Sequence, residues 1–92
     1  MDTPMKPAVV DGSTARLYRM VILAQYLQEV KSATLERLQA FMTIKFGLKR
    51  RTTTEMVKDM QNAHLLCTQS KAFTLTPIGE KWLKTMSRED AL

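Results

Sequence analysis

The stretch LLCTQSKAFTLTPIGE, residues 65–80, decides the fold. Two runs in it, Leu65 to Gln69 and Ala72 to Thr76, alternate apolar and polar residues, with Phe73 and Leu75 on one face, so each predicts a short strand. Ser70-Lys71 between them predicts a tight turn that closes a hairpin. Thr76-Pro77 then predicts a helix start. A threonine hydroxyl accepts from first-turn amides, and proline loses nothing at the first helical position, where its missing N–H would be unpaired anyway. Ile78, Trp82, Leu83 and Met86 give this helix an apolar side, and Ser87 to Leu92 are expected to fray.

Upstream of the hairpin, Thr52-Thr53-Thr54-Glu55 has the spacing of a capping box, in which Thr52 caps the amide of Glu55 and the carboxylate reaches back. It predicts a helix from there to about His64, with Met56, Val57, Met60 and Ala63 as its apolar stripe and Thr54, Lys58, Gln61 and Asn62 opposite. Before it, Leu35 to Phe46 reads as a helix capped by Thr34 and stopped by Gly47. Its inward residues are Leu35, Leu38, Phe41 and Met42, with Ile44 or Phe46. Leu48 to Arg51 is expected to form the turn, with Leu48 plugging the core, and Lys31 to Ala33 leave room for a brief strand. The first helix begins after Ser13 or Thr14 and runs to about Val30, burying Leu17, Met20, Val21, Ala24 and Leu27 at spacings of three and four. Residues 1–12, holding Pro4, Pro7 and Gly12, read as a flexible arm, 13–87 as the domain, and 88–92 as a frayed C-terminus.

The expected order is helix, strand, helix, helix, strand, strand, helix: mainly α with a small β-hairpin, an α+β class. With that order, and with Phe73-Thr74-Leu75-Thr76-Pro77-Ile78-Gly79-Glu80 joining hairpin to last helix, residues 13–87 resemble the winged helix-turn-helix family of compact prokaryotic and archaeal transcription regulators. The resemblance implies a sequence-specific protein for double-stranded DNA, with residues 52–64 as recognition helix in the major groove and a short wing at 69–72. Carried onto this chain, Thr54, Lys58, Gln61 and Asn62 would face base edges. Lys45, Lys49, Arg50 and Arg51 would neutralise phosphates at the helix N-terminus, beside Thr52 and Thr53, and Lys71 is the one cation of the wing turn.

Charge agrees with an anionic partner. Fourteen Lys and Arg against nine Asp and Glu give +5 and an isoelectric point near 9.7. Lys45, Lys49, Arg50, Arg51 and Lys58 against Glu55 and Asp59 leave that segment at +3, that is, five cations less two anions. A single cysteine, Cys67, excludes an intramolecular disulfide, and with a single histidine, His64, it cannot complete a zinc site. Cys67 reads as a small apolar strand residue in a reducing compartment, so a cytoplasmic, nucleoid-associated location is expected. His64 reads as a helix-terminal residue and Trp82 as core. The start of the chain lacks the pattern of a signal peptide, and the longest apolar run, Met20 to Ala24, is far below the roughly 20 residues of a membrane span. There is no Gly-rich phosphate loop, no evident carboxylate pair and no nucleophile beside a base, so no catalysis is expected. No metal, cofactor, small-molecule ligand or membrane partner is expected either.

The first helix carries a second apolar stripe, Ala15, Tyr18, Ile22 and Tyr26. Burying its three large side chains is worth about 5 kcal/mol at most. The cover is expected from the arm through Val9 and Val10, from the last helix, or from a second copy, with a homodimer favoured because regulators of this size read paired half-sites. Two other functions fit the same pattern: a protein–protein adaptor, and a nonspecific architectural DNA-binding protein.

Overall fold

The computed structural model describes residues 12–90, with side chains over 15–87. Of the expected arm, residues 1–11, with Val9 and Val10, lie outside the described residues, as do Ala91 and Leu92, whereas Gly12 already belongs to the first helix, which starts earlier than the expected Ser13 or Thr14 cap. The elements run α1 (Gly12–Val30), β1 (Ala33–Thr34), α2 (Leu35–Phe46), α3 (Arg50–Asn62), β2 (Leu66–Gln69), β3 (Ala72–Leu75) and α4 (Pro77–Asp90). The molecule is mainly helical, with a small three-stranded antiparallel sheet in the order β1-β3-β2. In register, Ala33 lies opposite Phe73 and Thr34 opposite Ala72, while Leu66, Cys67, Thr68 and Gln69 face Leu75, Thr74, Phe73 and Ala72.

The ends of α2 follow local chemistry. Thr34 is extended and its Oγ1 accepts from the Arg37 amide at 3.3 Å. At the far end Gly47 takes φ 70°, and the amides of Gly47 and Leu48 return to the carbonyls of Thr43 and Met42. That reversal needs a left-handed residue, which glycine supplies without a Cβ clash. At the start of α4, Thr76 Oγ1 accepts from the Gly79 amide at 2.9 Å and donates to the His64 carbonyl at 2.6 Å. One hydroxyl thus ties the hairpin's exit to its entrance. The Thr76 amide also donates to the Leu65 carbonyl at 3.0 Å, in the register of the β2–β3 ladder, just beyond strands that are each one residue shorter than expected.

Four helices and the sheet enclose Val21, Leu23, Ala24, Leu27, Leu38, Met42, Met56, Val57, Met60, Leu65, Leu66 and Leu83. Helix α1 is the central element, packed by α4 and β3. Leu23, outside either expected stripe, is fully buried, whereas Leu17 is 40% exposed because it precedes Met20, the first α1 residue packed on the core. The second stripe finds a cover that was not foreseen. Tyr26 stacks on Phe41 of α2 with ring centroids 4.1 Å apart, and Tyr18 meets Phe46 edge-on at 6.1 Å. Two apolar sides of α1 are thus packed by its own chain, while Gln25, Gln28 and Glu29 face solvent. Helix α4 stays helical through Asp90 rather than fraying from Ser87. Among the described residues no helix is long and apolar enough to cross a membrane.

Candidate nucleic-acid interface

Helix α3 begins two residues before the expected capping box. Lys49 is extended, at φ −78° and ψ 156°, and its carbonyl accepts the Thr53 amide at 3.2 Å. Thr52 is therefore inside the first turn, where it cannot cap, and among the described residues Lys49 makes no side-chain cap bond. Arg50 and Arg51 belong to the helix, and the turn is confined to Gly47, Leu48 and Lys49. The shift also turns Thr53 inward. It is 0% exposed, in the stripe Thr53, Met56, Val57 and Met60, so its place among expected DNA contacts is withdrawn. Ala63 caps the far end and is exposed rather than part of the stripe.

With the buried stripe fixed, the 3.6-residue repeat sets what faces away. Arg51, Glu55, Lys58 and Asn62 follow at intervals of four, three and four and are exposed. On one flank stand Thr54 and Gln61, both half-buried and both engaged. Thr54 Oγ1 accepts from Gln39 Nε2 of α2 at 2.9 Å and donates to the Arg50 carbonyl at 3.0 Å. Gln61 Nε2 donates to Thr68 Oγ1 of β2 at 2.9 Å. These two bonds join α3 to α2 and to the hairpin, so Thr54 and Gln61 orient the helix more than they offer free groups. On the other flank Asp59 is paired with Arg16 of α1, which offsets one of the two acids on this helix.

The approach to α3 is cationic. Lys49, Arg50 and Arg51 are consecutive and exposed, and Lys45 is exposed in the last turn of α2. The amides of Arg50, Arg51 and Thr52 precede the first intrahelical bond, from Thr53, so the positive end of the helix dipole opens on three cations with no acid in the first turn. That arrangement is unfavourable within the chain and favourable to an anion.

The hairpin turn places Ser70 and Lys71 at φ 50° and 65°, and both are exposed. A two-residue turn with both central residues left-handed prefers Asn-Gly, so a lysine here is held against its backbone preference. Cys67 is exposed on β2, with its Sγ 3.3 Å from Thr74 Oγ1, rather than buried as a small apolar residue. His64 follows α3 at φ 65°, exposed, and Trp82 is half-buried against the core. Of the first-helix candidates, Ala15, Ile22 and Tyr26 are half-buried and Tyr18 is 54% exposed.

Sequence reasoning missed the ties to Gln39, Thr68 and Arg16. The last spans 43 residues, and nothing local signals it. The outward position of Glu55 was legible from its distance of four residues to Arg51, had the helix start been placed at Lys49. Comparison of the chain with models of known families, with characterised proteins and with solved structures gives no match.

Proposed function

We propose that this chain is a winged helix-turn-helix domain that binds double-stranded DNA, as a sequence-specific regulator of transcription, with α3 in the major groove and the β2–β3 hairpin as wing. The observation that carries the reading is the N-terminus of α3: uncapped, free of acids in its first turn, and led by Lys49, Arg50 and Arg51. A capping side chain there would stabilise the helix by roughly 1 kcal/mol. Its replacement by cations makes sense when a phosphate supplies the missing charge. Support also comes from Gln61, whose bond to Thr68 fixes hairpin and helix together. Exposed Lys58 and Asn62 are residue types that read guanine and adenine edges.

The test is binding to duplex DNA across a series of salt concentrations. About five phosphates per subunit predict a slope of log K against log salt near −4 to −5 per subunit. Lys49→Ala with Arg50→Ala should reduce that slope by about two and weaken binding to every sequence, since each phosphate contact contributes about one. A flat response would remove the reading. It would favour an adaptor, for which the specific observation is Ile44 of α2, 85% exposed beside a groove of about 290 Å³ lined by Gln39, Ala40, Thr43 and Arg50.

A further inference from the structure

Glu55 lies in the middle of the outward line of α3, one turn after Arg51 and one turn before Lys58. Its carboxylate is not taken up by a cap, because the helix starts at Arg50. It lies 3.5 Å from Arg51 Nε, with the two side chains 60% and 88% exposed. A pair that wet is held weakly, so either partner can exchange the other for a new ligand. The second acid of the helix, Asp59, is occupied by Arg16, which leaves Glu55 as the acid of the outward face.

On a surface that approaches phosphates, a free carboxylate is repulsive towards every sequence. It becomes favourable only where the DNA presents a donor. In the major groove two bases present amino donors, cytosine at N4 and adenine at N6. Adenine places the N7 acceptor beside its amino group, which repels a carboxylate. Cytosine has no acceptor on that edge beside N4. Its partner guanine offers O6 and N7, the pair of acceptors that an arginine fork fills. Residues four apart on a helix have Cβ atoms roughly 5–6 Å apart, close enough for Arg51 and Glu55 to meet neighbouring base edges.

We infer that Glu55 is a specificity-determining residue, accepting from cytosine N4 while Arg51 donates to an adjacent guanine, so that the target carries a G·C pair at this register. The inference rests on the DNA-binding reading above and deepens it. The acid works by rejection as well as attraction: against guanine or thymine the carboxylate is buried without a donor, and against adenine the donor sits beside the repelling N7.

The test starts from selection of random duplexes with the full chain, followed by substitution of each base pair of the selected site and measurement of Kd at one salt concentration. The native chain should lose about tenfold or more when the cytosine of one G·C pair is replaced. Glu55→Ala should bind an unrelated duplex several-fold more tightly, while its discrimination at that one position collapses towards unity. Glu55→Gln should move the preferred base there to adenine, which the amide matches with a donor and an acceptor. Thermal unfolding of both variants should match the native chain, since the Arg51 pair is exposed. If Glu55→Ala tightens all duplexes by one common factor and leaves discrimination intact, Glu55 is a repulsive surface acid and the inference falls. If the native chain shows no salt-dependent duplex binding at all, the DNA-binding reading falls first and takes this with it.

Discussion

Single residues separate stability from binding most clearly at Thr53 and Gly79. Thr53 is fully enclosed by α3's apolar neighbours, and its Oγ1 is a buried polar atom without a hydrogen-bond partner among the described residues. Valine has nearly the same shape and no hydroxyl to desolvate, so Thr53→Val should raise stability by about 1 kcal/mol. Denaturant unfolding measures this, and duplex affinity should not move. A loss of affinity would restore Thr53 to the interface that its burial denies it. Gly79 is the opposite case. A Cβ built there would fall 2.1 Å from the Leu65 carbonyl oxygen, the acceptor of the Thr76 amide. No rotamer relieves a clash between Cβ and backbone. Gly79→Ala should therefore cost roughly 3 kcal/mol or more, read as a large fall in the denaturant midpoint, because α4 must lift off the hairpin. The glycine of the Thr76-Pro77-Ile78-Gly79 junction is required by close approach between helix and carbonyl.

Individual elements show which parts of the fold are written locally. The ends of α2 and the start of α4 were legible because Thr34, Gly47 and Thr76-Pro77 act on amides and carbonyls within a few residues of themselves. The start of α3 was not legible. Its true cap, Lys49, has no capping chemistry, while the triple threonine after it imitates one. Burial of Thr53 with Met56 and Met60 selects the earlier start, and that is a tertiary effect. The candidate site inherited the same error: the cationic lead was readable from Lys49-Arg50-Arg51, but the engaged state of Thr54 and Gln61 was not. The helix start also yields a prediction. Lys49→Asp should cap α3 and complement its dipole, raising stability by about 1 kcal/mol while weakening duplex binding and reducing the salt slope. A tandem change at the hairpin turn, Ser70→Asn with Lys71→Gly, should likewise stabilise by about 1 kcal/mol by relieving two left-handed residues. It should lower the salt slope by about one, through the lost lysine alone. Calorimetry and the salt series would record both changes together. Were either variant stabilised with unchanged affinity, its cation would have no part in binding.

The whole molecule places its exposed apolar residues away from the core's centre, and the first helix matters most. Tyr26 is taken up by Phe41, and Ile22 and Ala15 are half-buried, so the surface available to a second copy is narrower than the stripe Ala15, Tyr18, Ile22 and Tyr26. Of that stripe Tyr18 stays 54% exposed, and Leu17 beside it, expected in the buried stripe, is 40% exposed, both near the start of α1. Tyr18 already touches Phe46, beneath the Arg19 guanidinium, whose Cζ stands 5.6 Å from that ring's centre. The ring is therefore held in place before any partner arrives, which lowers the entropy lost on association. Tyrosine suits such a position, having an apolar body and a polar rim. Dimeric helix-turn-helix proteins read half-sites about 34–36 Å apart, one helical turn, and a homodimer of this chain is expected to do the same. The expected result is sedimentation of the native chain at twice its 10.5 kDa, and selection of a palindromic duplex. Leu17→Asp with Tyr18→Ala should yield a folded monomer, since neither residue is in the buried cluster, and should weaken duplex binding by removing the second half-site. Thermal unfolding guards against a trivial loss of fold. A native chain that remains monomeric at about 100 μM, well above the range in which regulator dimers of micromolar affinity assemble, would show that Leu17 and Tyr18 are ordinary surface residues. The DNA reading would then survive as a single α3 reading a single, non-palindromic site.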